Sequence, residues 1–199
     1  MGLLSSMTTS AAIFVMGPPG SGKGTQALAV EKAFGFERFE TGGALRRRAL
    51  EDSPVGRRVK ALIDAGRLAP PPLVGEIVVR QAERILGSGR SVVFDGSPRT
   101  LFEAERLLAA LETDRVGRLL VIVLEVPKPE TVKRIATRWI CTGCTRPTAP
   151  VPTTKDACRA CGGRLVRRSD DTEEIAERRW EDYTFRTLPV IAFFERRGL

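Results

Sequence analysis

Short, uniformly apolar runs alternate with amphipathic stretches along the chain. Residues 11–16 (AAIFVM) end at Gly-Pro-Pro-Gly, which predicts a buried strand. SVVFD (91–95) predicts another strand, and LLVIVLEV (119–126) a further buried one. Between them, helical patterns cover 23–34, closed near Gly35, then 42–52 and 55–65, parted by Ser53-Pro54. Gly66 and Pro70-Pro71-Pro72 punctuate a helix over 71–86, and further helices are predicted at 100–112, 127–138, 172–183 and 187–197. Residues 139–169, rich in Cys, Gly, Pro and Thr, carry no helical period. Strand and helix alternate, so the pattern favours an α/β fold: a parallel sheet with helices on both faces.

Composition narrows the chemistry. At 199 residues, 42% of them apolar and 28% charged, the chain suits one core with small insertions and excludes wholesale disorder. Histidine is absent, which removes every Ser-His-Asp, Cys-His and His-metal scheme; asparagine is absent too, so no Asn-linked glycosylation site exists. The net charge of +8 sits in one segment: residues 133–168 hold nine basic side chains against Asp156 alone, leaving 23 of each sign elsewhere. Such a field attracts polyanions. No apolar run approaches the roughly 18 residues that span a bilayer, and the start lacks the basic region of a signal peptide, so a cytoplasmic protein is expected. Residues 1–10 read as a disordered leader, with Met7 as an alternative start; Met1-Gly2-x-x-x-Ser6 reads as a chance match to a myristoylation pattern.

Four groups of residues carry chemistry. In Gly17-Pro18-Pro19-Gly20-Ser21-Gly22-Lys23-Gly24-Thr25, glycines let backbone N–H groups converge on a phosphate chain at a helix N-terminus. Lys23 adds a full charge, and the Thr25 hydroxyl can face a phosphate or Mg²⁺. Asp95 ends a strand at the carboxyl edge of the sheet, where such carboxylates hold Mg²⁺ directly or through water. Cys141-x2-Cys144 and Cys158-x2-Cys161 have the spacing of a closed, structural four-thiolate zinc site; two disulfides are the alternative and need an oxidising compartment. Arg134, Arg138, Arg168 and Arg179 are spaced so that helices or turns could aim them at one centre, as phosphoryl transfer requires.

With these motifs in hand the chain resembles the adenylate kinases of the long, zinc-bearing bacterial type, over about 13–194. GPPGSGKGTQ (17–26) is similar to the family's phosphate loop, ETGGALR (40–46) and DAGRLAP (64–70) to its AMP segments, and DGSPRT (95–100) to its DGFPRT. RIATRWICTGC (134–144) and CRACGGRLVRRSDD (158–171) resemble its zinc lid. The resemblance implies a P-loop NTPase-type parallel sheet flanked by helices. It divides the chain into a CORE (11–40, 71–138 and 170–199), a helical NMP-binding insert (41–70) and a zinc-bearing LID (139–169). It further implies reversible transfer from ATP to AMP, giving two ADP, with Mg²⁺ and structural Zn²⁺ as cofactors, in a monomer needing no protein partner, membrane or nucleic acid. On the family pattern Gly20, Ser21, Gly22, Lys23, Gly24, Thr25, Arg134 and Arg138 hold ATP. Thr41, Arg46, Arg67, Leu68, Ala69, Gly96, Ser97, Pro98, Arg99 and Glu103 line the AMP site. Arg168 and Arg179 clamp the moving phosphoryl group, with Lys23, Arg99, Arg134 and Arg138 completing the catalytic set. Thr25 and Asp95 hold magnesium through water, and the four cysteines hold zinc.

The chain departs from the pattern at four places. Glu40 stands for a usual Ser, Gly43 for a usual Asp, Ser97 for a Phe, and Glu103 for the family's adenine-reading Gln. The chain also stops at Leu199, where the family continues through a further strand and helix. An ionised Glu offers only acceptors, which suits a donor-rich base edge better than adenine N1. A nucleoside monophosphate kinase for CMP or GMP is therefore the near alternative, and a basic zinc-ribbon nucleic-acid-binding protein the distant one.

Overall fold

The structure, a computed structural model, describes residues 10–112, 116–144, 147–148, 157–168 and 170–199. The expected leader, apart from Ser10, lies outside these residues; Ser10 itself opens the first strand. Four parallel strands form the main sheet: β1 (Ser10–Met16), β2 (Glu37–Glu40), β3 (Val92–Asp95) and β4 (Val116–Val123), in the order β2-β3-β1-β4. The helices are α1 (Lys23–Phe34), α2 (Thr41–Ala49), α3 (Pro54–Asp64), α4 (Pro71–Gly87), α5 (Leu101–Leu111), α6 (Lys128–Ala136), α7 (Glu173–Asp182) and α8 (Leu188–Glu195). A five-residue π-helical turn, Tyr183–Thr187, joins the last two. Among the described residues no helix is long and apolar enough to cross a membrane.

One face of the sheet carries the larger core. Phe14 and Phe94, both fully buried, lie 5.2 Å apart, and Phe194 from α8 stacks on Phe14 at 5.3 Å. Each such ring contributes about 1.5–3 kcal/mol by leaving water. On the other face Ile13, Val15 and Val93 pack against Ala27 of α1. Inner strands β1 and β3 thus bury both faces, which is why their sequences show no polar alternation.

Two expectations need correction. LLVIVLEV does not form a buried strand: β4 ends at Val123 and lies at the sheet edge, with Leu120 50% and Ile122 37% exposed. A continuous apolar run cannot by itself distinguish an inner strand from an edge strand with one neighbour. Conversely, β2 was not expected. Its sequence, ERFE, has one apolar residue, and only Phe39 is buried.

Residues 139–168 contribute three short antiparallel strands, β5 (Trp139–Cys141), β6 (Pro147–Thr148) and β7 (Leu165–Val166), in the order β6-β5-β7. Helices α2 and α3 pack on each other beside the main sheet. Ser53 caps α3 by accepting from the Gly56 N–H at 3.0 Å, with Pro54 opening the helix, so the Ser-Pro punctuation acts as its residues dictate.

Candidate active site

The carboxyl ends of β1, β2 and β3 converge on a cleft of about 840 Å³. Open parallel sheets bind ligands at this edge. β1 runs straight into the glycine loop, where Lys23 Nζ donates to the carbonyls of Gly17 (2.9 Å) and Pro18 (2.7 Å). The chain there must pass close to α6, and a Cβ on Gly20 would lie 2.6 Å from the Thr131 carbonyl. At Gly22 (φ 97°) nothing lies within 4 Å of such a Cβ, so the helix N-terminus is open to the cleft.

Asp95, at the end of β3, is buried, with Arg38 Nη1 3.2 Å from its Oδ2. Burial first, then the charge of Glu40, push its carboxyl above the usual range. The next residues form the acceptor wall. Arg99 Nε donates to the Gly96 carbonyl (2.7 Å), the Thr187 hydroxyl donates to the Arg99 carbonyl (3.1 Å), and the Thr41 hydroxyl donates to Ser97 Oγ (2.9 Å). Burial lowers the Arg99 pKa.

The cleft brings together nearly all the expected residues. Gly20, Gly22, Lys23, Gly24, Thr25 and Asp95 lie on one wall; Thr41, Arg46, Arg67, Leu68 and Ala69 come from the α2–α3 side. Gly96, Ser97, Pro98, Arg99 and Glu103 form the floor, while Arg134, Arg138, Arg168 and Arg179 reach in from the opposite side. Ser21 does not line the cleft; its hydroxyl is turned inward and buried without a partner.

Glu103 lines the cleft, but its oxygens are engaged. Oε2 accepts from the Arg99 N–H (2.8 Å) and Oε1 from the Thr100 hydroxyl (3.1 Å), which in turn caps α5 by accepting from the Glu103 N–H.

The cations repel one another. Lys23 falls from 10.5 to about 7, through burial first and then Arg99, while Arg168 falls to about 10 through burial and then Arg46 and Arg138. A polyanion in the cleft would relieve both. Two acids outside the expected set manage this field: Asp171 takes Arg138, and Asp170 takes Arg179. The cue in the sequence is the Asp170-Asp171 pair directly after the basic segment. Arg38 also lines the cleft, from β2, a strand whose sequence carries no apolar pattern, and Glu40 lines it at the head of α2.

Beyond the cleft, the Sγ atoms of Cys141, Cys144, Cys158 and Cys161 lie within 4.8 Å of one another, and all four are free thiols. The pairs Cys141–Cys161 (3.4 Å) and Cys144–Cys158 (3.6 Å) approach the roughly 3.8 Å edge of a tetrahedron with 2.3 Å metal–sulfur bonds. Backbone N–H groups of Cys144 and Gly143 aim at Cys141 Sγ and draw that thiol down to about 6. The donor set fits a closed tetrahedral metal site.

The family model for adenylate kinases matches residues 15–199. The chain belongs to the adenylate kinase family. The adenylate kinase of Chlamydia pneumoniae is 37% identical over 195 residues, covering 96% of this chain and 89% of that protein. The adenylate kinase of Novosphingobium aromaticivorans is 36% identical over 193 residues, covering 94% and 88%. That of Thermus thermophilus is 35% identical over 194 residues, covering 97% and 88%. The adenylate kinase match runs through both the glycine loop and the cysteine-bearing segment, so it spans the whole cleft.

Proposed function

We propose that this chain is an adenylate kinase that moves the γ-phosphoryl group of ATP reversibly to AMP, giving two ADP. The observation that carries this reading is the crowding of Lys23, Arg99 and Arg168, with lowered pKa values, around a cleft that opens onto a glycine-loop helix N-terminus. Gly20, Gly22, Lys23, Gly24 and Thr25, with Arg134 and Arg138, take ATP; Ser21 supports the loop from inside. Thr41, Arg46, Arg67, Leu68, Ala69 and the 96–99 loop take AMP, and Arg168 and Arg179 embrace the phosphoryl group in flight. Their charges lie where negative charge spreads in the transition state.

Asp95 and Thr25 would hold Mg²⁺ through water, where the ion neutralises phosphate charge. The four cysteines would hold structural zinc. Residues 41–70 and 139–169 act as the insert and lid that exclude water over a CORE made of the rest. The protein works as a cytoplasmic monomer.

A coupled assay with ATP and a panel of monophosphates tests the reading. Transfer to AMP is expected, and Lys23→Ala and Arg99→Ala should each lower it on the order of 10³-fold with the fold intact. Transfer to no monophosphate, or near-wild-type turnover in either variant, contradicts it.

A further inference from the structure

Glu40 and Arg46 form an ion pair at 2.6 Å on the wall of the cleft, each side chain about one-third exposed. Glu40 is the N-cap residue of α2 and Arg46 lies in its last turn. Between them come Gly42 and Gly43. A Cβ on Gly43 would lie 3.0 Å from Glu40 Oε2, and one on Gly42 3.2 Å from Arg46 Nη1. Neither glycine has positive φ, so the backbone does not require glycine at either place. Glycine is the poorest ordinary residue inside a helix, yet two stand side by side here. What they supply is space: a Cβ at either place would crowd the carboxylate or the guanidinium.

We propose that Glu40 is a positioning residue that, lying across the Gly42-Gly43 step, holds the Arg46 guanidinium aimed at the phosphate of the acceptor nucleotide. This rests on the proposed AMP site and names the part of it that keeps Arg46 in place. Arg46 spends Nη2 on Glu40; among the described residues Nη1 and Nε donate to no other group, leaving the three N–H donors of those two nitrogens for an oxyanion. An arginine on a free stem must be ordered by its ligand, whereas one already held is not. The Glu40 carboxylate also repels an incoming phosphate. That effect is the weaker one, because the carboxylate is already paired and partly screened by solvent.

Steady-state kinetics on wild type, Glu40→Ala, Glu40→Gln, Gly43→Ala and the Glu40→Ala/Gly43→Ala double variant test this. Glu40→Ala should raise KM for AMP about three- to tenfold, the range set by ordering one long side chain, while KM for ATP and kcat change less. Glu40→Gln keeps an acceptor oxygen and should fall between wild type and Ala. Gly43→Ala favours the helix but displaces the carboxylate, so it should raise KM for AMP in the wild-type background and add nothing once Glu40 is gone. That lack of additivity is a signature that a merely structural role does not produce. An unchanged or lower KM for AMP in Glu40→Ala, or additive effects of the two substitutions, overturns the role of Glu40 alone. Wild-type protein that transfers nothing to AMP overturns the proposed acceptor as well.

Discussion

Arg138 and Asp171 meet head-on: Nε and Nη2 of the arginine donate to the two carboxylate oxygens at 2.8 and 2.5 Å, and the Asp171 side chain is fully buried. Arg138 directly precedes the cysteine-bearing segment and Asp171 lies just past its end, so the pair ties together the neck of that segment. Asp171→Asn keeps the shape and removes the charge. Breaking a buried pair costs about 3–5 kcal/mol, but Arg138 is 22% exposed and can turn to water, so a loss of about 1–3 kcal/mol is expected. KM for ATP should rise as Arg138 loses its aim. Denaturant titration and kinetics together check this; a variant unchanged in both would mean that the neck is held by other contacts.

On the proposed ATP site, Lys23 should make nucleotide binding a proton-linked event. With its ammonium held down to about 7, by burial and then by Arg99 with Arg138 acting alike, only about one lysine in ten is charged at pH 8. Phosphates restore the charge. Calorimetric titration with ATP at pH 8, in buffers of contrasting ionisation enthalpy, should therefore show proton uptake approaching one per site, abolished in Lys23→Met. The sign also fixes a stability trend. The folded pKa lies below the unfolded 10.5, so between about 7 and 10.5 the unfolded chain binds more protons. The lysine's contribution to stability of the nucleotide-free protein rises across that window. Buffer-independent heats for wild type would count against the linkage.

The glycine loop was readable in advance because its residues leave one geometry: an apolar strand, glycines for close approach, then a helix opening at Lys23. The helices were readable for the same local reason, since Ser53 and Thr100 cap where capping residues belong. What escaped was set by neighbours. β2 is held as a strand by pairing Glu37, Arg38, Phe39 and Glu40 with Val92, Val93, Phe94 and Asp95, not by its own propensity. The exposure of β4 follows from its place in the strand order, and the duties of Asp170 and Asp171 follow from which arginines the fold brings to them.

The cysteine cluster should hold one zinc per chain. Among the described residues, the core around the four thiols contains little besides Leu165 and Trp139, and the three strands there span three, two and two residues. So small an apolar core offers little stability of its own, and a bound metal is expected to supply the difference. Elemental analysis of protein grown without metal bias should find zinc. A strong chelator should make residues 139–168 protease-sensitive at temperatures where the main sheet stays folded. Iron in place of zinc, disulfides, or a segment unaffected by metal removal would each contradict this.

Glu103 distinguishes reading the base from holding Arg99. If its carboxylate faced adenine, Glu103→Gln would restore a donor toward N1 and lower KM for AMP about tenfold, as expected for a hydrogen bond of roughly 1.5 kcal/mol. In the structure the carboxylate instead receives the Arg99 N–H and the Thr100 hydroxyl. Burial raises its pKa against the pull of those bonds, so the site accepts a neutral group readily. Gln can accept from the Arg99 N–H and donate to Thr100 Oγ1. Its stability should therefore stay within about 1 kcal/mol, with KM for AMP within about threefold and the preference among AMP, CMP and GMP unchanged. Glu103→Ala is the informative contrast. It strips partners from a backbone N–H and a hydroxyl that are both shielded from water, at about 1–3 kcal/mol each, and frees the backbone that carries Arg99. Lower stability, a higher KM for AMP and a lower kcat should appear together in Glu103→Ala and be absent from Glu103→Gln. A tenfold gain in AMP affinity for Glu103→Gln would show instead that the carboxylate leaves these bonds to face the base.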